Sequence, residues 1–292
     1  GLGDVYKRQS QDSTGDCEVT VYPVFSGIEL VYYDVHMQSC DINLAKGREM
    51  LIITHCQEGR IEFEYKNGEY LYLASGDLSI QKNTENIRHR YCPLSHYHGV
   101  SVAIDMNRVP RCFSCILDDV FVSPEELEMK FCSEKPYSIM RENISIEHIF
   151  SELYSVPENI RKGYHKVKVL ELLLFLSGLE YKGESEERRY FSRSQVTAAK
   201  EAKKYLLAHL DEHITITELA DMLGISSTSL KICFKGVYGD TINGYITNCK
   251  MQKAASLLKN TDKSVLEIAG IVGYNNGSKS VSYTHLTLPT KL

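Results

Sequence analysis

The sequence predicts an α+β chain: an N-terminal antiparallel β-barrel or sandwich, helices after it, and an all-α C-terminal segment. Short β-type runs fill the first third, helical periodicity begins at Ser123, and a capped helix-turn pattern recurs near the end. The 292 residues are 43% hydrophobic and 24% charged, which is typical of a globular protein of one large or two ordinary domains.

Both ends of the chain are predicted to be foreign sequence. The run from Asp4 to Gln9 can be encoded by a short DNA whose reverse complement, in a shifted frame, encodes Val281 to His285. We therefore interpret residues 1–9 and 281–292 as sequencing-linker sequence and exclude them from the fold prediction. The native chain is then expected to be interrupted at both ends.

Residues 10–122 are predicted to form the barrel. Asn67-Gly68 lies between two alternating apolar runs, which is a strong hairpin signal. About seven antiparallel strands at this spacing indicate a sandwich or small barrel. The strand candidates are Glu18–Tyr22, Glu29–Val35, Glu49–Cys56, Arg60–Tyr65, Glu69–Ala74, Asp77–Gln81 and Gly99–Ile104.

Residues 123–182 are predicted to be helical, and the polar stretch 183–192 to be a linker. The helix candidates are Pro124–Phe131, Ile144–Ser155 and Tyr164–Tyr181. The last is apolar on two faces, so it is expected to pack on its own barrel and, through residues 164–181, on a second copy in a homodimer.

Composition and missing motifs narrow the function class. Nine irregularly spaced cysteines favour reduced thiols in the cytoplasm, and the single pair Cys112 and Cys115 is a weak metal or redox signal. The sequence shows neither a secretory signal nor an apolar run long enough to span a membrane. It also lacks a P-loop, GxSxG, HExxH and dinucleotide motif, so we expect neither an enzyme nor a cofactor.

Charge is distributed unevenly between the two halves. Residues 10–192 carry 19 basic and 29 acidic side chains, whereas residues 193–280 carry 11 and 8. An acidic sensor joined to a basic nucleic-acid-binding domain would show this asymmetry, and solvated surface charge explains it almost as well.

The segment 193–280 repeats one local pattern 49 residues apart. Thr215 and Glu218 form a predicted capping box before a helix that stops at Gly224. Ser264, Glu267 and Gly273 recur in the same register. Two helix-turn-helix units on one connecting helix would place two reading helices in successive major grooves.

From about Gln195 to Ser280 the chain resembles the AraC/XylS family of bacterial transcription regulators. The resemblance implies two helix-turn-helix subdomains on tandem major-groove segments, an N-terminal cupin-like jelly roll for an effector or dimerisation, and RNA polymerase as a further partner. The motifs that carry it are Leu219-Ala220, Gly224-Ile225-Ser226, Leu230 to Lys235, Tyr238-Gly239, Tyr245-Ile246, Met251, Ala254-Ala255, Leu257-Leu258, Val265, Ile268-Ala269 and Gly273-Tyr274. The N-terminal half resembles pyochelin-regulator-type members through His55 to Arg60 and Gly76-Asp77-Leu78.

The resemblance assigns DNA contacts to the first reading helix. By family position Thr228, Lys231 and Ile232 would face base edges, and Lys235 suits a phosphate. Solvated lysines are the alternative. In the second unit the candidates are Ser278 and Lys279.

The barrel offers a candidate pocket for an unknown small-molecule effector, with His55, Glu58, Tyr65 and Tyr72 as its lining. Core aromatic residues are the alternative interpretation. A metal set drawn from His55, Glu58, His89, His96 and His98 lacks the glutamate that metal-binding cupins place after the His-x-His pair, so we expect no metal.

The expected function is therefore sequence-specific binding of double-stranded DNA by an effector-responsive transcription regulator in the cytoplasm. Two alternatives stay open at this point. One is a metal-dependent cupin protein with a structural helical tail, and the other is a truncated interaction module that no longer binds its operator.

Overall fold

The computed structural model describes residues 5–39, 47–82, 86–110, 122–141, 144–181 and 191–274. The chain divides into two compact units, Gly1–Tyr190 and Phe191–Leu292. Each unit has its own hydrophobic core and is described by itself.

Nine β-strands dominate the N-terminal unit, and all their pairings within the described residues are antiparallel. The strands are β1 Tyr6–Asp12, β2 Gly15–Phe25, β3 Ile28–His36, β4 Met50–Tyr65, β5 Tyr70–Ala74, β6 Leu78–Lys82, β7 Ile87–Tyr91, β8 Tyr97–Asp105 and β9 Tyr137–Met140. Their order is β1-β2-β3-β8-β4-β6-β9, and β5 and β7 also pair with β4.

Strand β4 connects two sheets. Its first half pairs with β6 and β8, and its second half pairs with β5 and β7. The register with β8 shifts between Cys56 and Glu58, and Gly59 follows with φ +83°. A Cβ at Gly59 would collide with the His96 carbonyl oxygen. The bulge and the glycine thus let one strand turn from the first sheet into the second.

Alternation of side chains along the strands creates two cores. Val31, Ile52 and Phe63 belong to the core shared by the two sheets. Leu30 and Ile53, on the opposite face of the first sheet, pack with the helices that cover it. Those elements are α1 Pro124–Cys132, α2 Ile144–Ser151, a 3-10 turn at Glu152–Ser155, and α3 Arg161–Gly178.

Four strands differ from the sequence prediction, namely β1, β4, β7 and β9. Glu49–Cys56 and Arg60–Tyr65 are one bent strand, because the bulge continues the chain where a turn was expected. Strand β7 was not predicted. Neither was β9, which lies within the segment predicted to be helical and pairs with β6. Strands of four or five residues carry too little periodicity to be recognised without their partner.

Strand β1 lies partly within residues 1–9. It pairs with β2 at the edge of the sheet, and most of its side chains are exposed. Residues 281–292 lie outside the described part of the chain. The linker origin of both ends therefore stays a prediction.

The C-terminal unit is all-α within residues 191–274, as predicted. Its helices are α4 Arg193–Ala208, α5 Ile216–Met222, α6 Ser227–Tyr238, α7 Ile242–Asn260 and α8 Val265–Ile271. The α+β fold class is thereby confirmed. In the described part of the chain, every helix is too short or too polar to cross a membrane.

Candidate nucleic-acid interface

A capped helix and a tight turn position α6. The Thr215 amide donates to Glu218 Oε2 at 2.8 Å, and the Glu218 amide donates to Thr215 Oγ1 at 3.2 Å, which closes the predicted capping box. After α5 the chain turns at Gly224, whose φ of +66° favours glycine. The Ile225 amide then donates to the Ala220 carbonyl at 3.1 Å. These bonds fix both ends of α5 and the direction in which α6 begins.

Helix α6 has one buried and one accessible face. Leu230, Cys233 and Phe234 are each 0% exposed, as the apolar spacing predicted. The four predicted contact residues share the opposite side, with offsets of three, four and seven residues. Thr228, Lys231 and Lys235 are exposed and Ile232 is half-buried.

Polar contacts hold α6 in place. Ser226 Oγ accepts the Ser229 amide at 3.1 Å at its start, and Gly239 in the left-handed conformation ends it. Gln195 of α4 donates to Ser229 Oγ at 3.2 Å. This bridge was not predicted, because no periodic pattern relates residues that far apart on different helices.

The second helix-turn-helix segment of the C-terminal unit repeats the hydrogen bonds of the first at an offset of 49 residues. Ser264 and Glu267 form the same capping box, with distances of 2.8 and 3.3 Å. Gly273 has φ +76°, and the Tyr274 amide donates to the Ala269 carbonyl at 2.8 Å. A Cβ at Gly273 would approach the Asp211 carbonyl oxygen to 2.7 Å, so glycine is required here. The predicted repeat thus holds as far as Tyr274; Ser278 and Lys279 lie outside the described residues.

Two other lysines of this unit are engaged in packing. Lys203 Nζ lies 5.0 Å from the Tyr238 ring centroid, and burial lowers the pKa of this lysine. Lys250 Nζ lies 5.4 Å from the Tyr274 ring centroid, and burial lowers its pKa as well. Lys231 and Lys235, in contrast, extend from α6 into solvent.

In the N-terminal unit, His55 lies in a core and not in a barrel pocket. It is 2% exposed, and its ring stacks on Phe150 at 4.5 Å between centroids. Its Nδ1 lies 3.1 Å from the Tyr154 hydroxyl. Burial lowers the pKa of His55 to about 4, so the ring is neutral at neutral pH.

The other three predicted pocket residues have different surroundings. Glu58 is exposed, whereas Tyr65 packs on Tyr137 at 4.9 Å in the core between the sheets. The Tyr72 hydroxyl donates to Glu62 Oε2 at 2.6 Å. The four residues therefore do not form one pocket, and the predicted lining is corrected. Alternation along β4 and β5 sends neighbouring side chains to opposite faces.

The five residues considered from the sequence as possible metal ligands do not lie together in the structure. Only His96 and His98 lie near Glu58, at 3.3 and 4.0 Å. His55 is in the core, and the His89 ring packs 5.8 Å from that of Tyr91. Cys112 and Cys115 lie outside the described residues.

Residues 219–283 match a family model described as a helix-turn-helix domain. Over 224 residues, 73% of the chain, the sequence is 23% identical to the HTH-type transcriptional activator Btr of Bacillus subtilis strain 168. Over 131 residues, 42% of the chain, it is 32% identical to the xylose operon regulatory protein of Escherichia coli strain K12. The matched parts span 39% and 33% of those two relatives.

Among solved structures, the chain is similar to the C-terminal domain of the two-component response regulator yesN of Fusobacterium nucleatum. The identity is 25% and the TM-score 0.30, over 32% of this chain and 99% of that domain.

Proposed function

We propose that this protein regulates transcription by binding specific double-stranded DNA sequences, because residues 219–283 match a helix-turn-helix family model. The observation that carries the proposal is the accessible face of α6, on which both lysines are exposed. This contact stripe consists of Thr228, Lys231, Ile232 and Lys235. A helix of this kind fits the major groove, where each base pair presents a distinct pattern of donors and acceptors.

Each stripe residue has a proposed role. Lys231 donates to guanine O6 or N7, and Thr228 and Ile232 pack against thymine methyl groups. Lys235, one turn further along α6, binds a backbone phosphate. In the second helix-turn-helix segment, Ser278 and Lys279 are proposed to contact the next segment of the major groove.

The roles of the two lysines are separable by experiment. A binding sequence is first selected from a random duplex library and then used, with mismatched duplexes, for affinity measurements at several salt concentrations. Lys231→Ala is expected to lose about 1–3 kcal/mol on the selected duplex and to relax preference at one base pair. Lys235→Ala is expected to weaken all duplexes alike and to reduce the salt slope by about one.

Lys204→Ala is the matched control, because Lys204 is an exposed lysine on α4 rather than α6. Equal, sequence-independent losses from Lys231→Ala and Lys235→Ala would contradict base reading by Lys231. Failure of the unaltered protein to enrich any duplex would contradict the proposed function itself.

We further propose that the N-terminal unit binds a small-molecule effector and contributes to homodimerisation through α3. RNA polymerase is a proposed partner. The protein is proposed to act in the cytoplasm and to catalyse no reaction. Val169 and Leu172 of α3 are buried, whereas Val167 is 61% exposed. This accessible apolar side chain supports the dimer proposal. Light scattering should show a smaller dimer fraction for Val167→Asp than for the unaltered protein, and an unchanged fraction would contradict it.

A further inference from the structure

Five histidine and carboxylate side chains lie together on the first sheet of the N-terminal unit. Strands β3, β8 and β4 are neighbours, and their register aligns Asp34, His98 and Glu58 in one row. Alternation along β3 puts His36 on the same face as Asp34. His96 lies two residues before His98, and the bulge in β4 brings Glu58 beside these two histidines. The sequence separates them by as many as 64 positions, and only strand pairing brings them together.

The donor atoms of this cluster are close to one another. Asp34 Oδ1 lies 2.9 Å from His36 Nε2 and 2.9 Å from His98 Nε2. The two Nε2 atoms are 3.4 Å apart. His96 completes the group, since one ring nitrogen from each of the three histidines lies within 4.8 Å of the others.

These distances match those between the ligand atoms of a metal ion. Zinc binds nitrogen and oxygen at about 2.0–2.1 Å, which places tetrahedral donors about 3.3 Å apart. A point about 2.05 Å from Asp34 Oδ1, His36 Nε2 and His98 Nε2 lies roughly 1 Å off the plane of these atoms. Three donors therefore already lie at the spacing of zinc ligands, and a ring nitrogen of His96 lies within 4.8 Å of the ring nitrogens of His36 and His98.

The polar contacts within the cluster leave room for such a ligand role. His96 Nε2 is buried and has no hydrogen-bond partner among the described residues, although Glu58 Oε1 lies 3.3 Å away. His36 and Asp34 keep 48% and 61% of their side-chain surface exposed, so an ion can enter from solvent.

We propose that His36, His96, His98 and Asp34 bind a divalent transition-metal ion of the zinc class on the sheet of the N-terminal unit. Imidazole-rich sets favour zinc, copper, nickel and iron over magnesium and calcium, which prefer all-oxygen ligands. Glu58 Oε1 lies 3.3 Å from His96 Nε2, at the edge of this set. The ion would tie β3 to β8, at a site distinct from the DNA-contacting helix α6.

The test uses the full chain without an affinity tag, freed of metal with a chelator. Zinc is titrated in competition with a chromogenic chelator, and thermal unfolding is followed with and without zinc. One equivalent of zinc should bind and raise the unfolding midpoint, because an ion that binds only the folded state stabilises it. His36→Ala and His98→Ala should each weaken binding by more than about tenfold and abolish the thermal shift.

His148→Ala is the control, since His148 is an exposed histidine on α2, outside the cluster. Retention of the bound equivalent in this variant, with its loss in the two cluster variants, supports the site. Zinc binding that is absent, unchanged in the cluster variants, or lost equally in the control overturns it. Because His36 and His98 are partly exposed, far-ultraviolet circular dichroism of the variants should be unchanged, which separates ligand loss from misfolding.

Discussion

His55 and His165 of the N-terminal unit are both buried. Burial lowers the pKa of His55 to about 4. Burial and, secondarily, the Arg161 charge lower the pKa of His165 to about 4, while its Nε2 lies 3.1 Å from the Tyr32 hydroxyl. In the unfolded chain the pKa of a histidine is about 6.5. Below that pH the unfolded state binds more protons than the folded state, so the free energy of unfolding falls as the pH decreases from about 6.5 towards 4.

Each buried histidine should therefore destabilise the fold by about 2 kcal/mol between pH 7 and pH 5. His55→Gln removes one titrating ring, so its loss of stability over this range should be smaller than that of the unaltered protein by about this amount. Urea denaturation at the two pH values measures the difference. A His55→Gln variant with the original pH dependence would contradict the assignment.

At the scale of elements, helix starts were the most readable feature of the sequence. Ser or Thr followed by Glu three residues later identified both capping boxes before α5 and α8. Apolar spacing also identified the buried face of α6. Strand β9 could not be predicted, because its four residues form a strand through pairing with β6 and have no strand pattern of their own.

The capping boxes should contribute measurably to the stability of the C-terminal unit. Thr215→Ala and Ser264→Ala each leave an amide of the first helical turn without its side-chain acceptor, which typically costs about 1 kcal/mol. Thermal unfolding followed by far-ultraviolet circular dichroism should show a lower midpoint for both variants than for the unaltered protein. Thr217→Ala is the comparison, since Thr217 is exposed within α5 but is not the cap. Equal midpoints for Thr215→Ala and Thr217→Ala would show that the box has no energetic role.

At the scale of the whole molecule, each unit has its own core. Phe150 and Phe234 are both 0% exposed, one in each unit. Truncation of a buried phenylalanine to alanine typically costs about 3–5 kcal/mol through lost burial and the cavity left behind. Phe150→Ala should lower the calorimetric transition of the N-terminal unit, and Phe234→Ala that of the C-terminal unit. A single transition that moves equally in both variants would contradict independent cores.

The two candidate sites differ in how far the sequence predicted them. The candidate contact residues of α6 lie within one helix of twelve residues, so helical spacing alone places Thr228, Lys231 and Lys235 on the same side. The histidine cluster depends on the pairing of β3 with β8. His36 and Asp34 were missed because nothing local in their sequence shows that β3 will lie beside β8. The effector lining failed for the same reason, since the bulge in β4 decides which face Glu58 occupies.

Helix α7, between the two repeated units, has a consequence for how the gene can change. Its 19 residues span about 28 Å, and each added residue advances the chain by about 1.5 Å and rotates it by about 100°. One residue inserted into α7 would leave the hydrogen bonds of both capped turns intact. It would still rotate one helix-turn-helix segment relative to the other. Insertions and deletions should therefore be tolerated in the loops of this unit and selected against inside its longest helix.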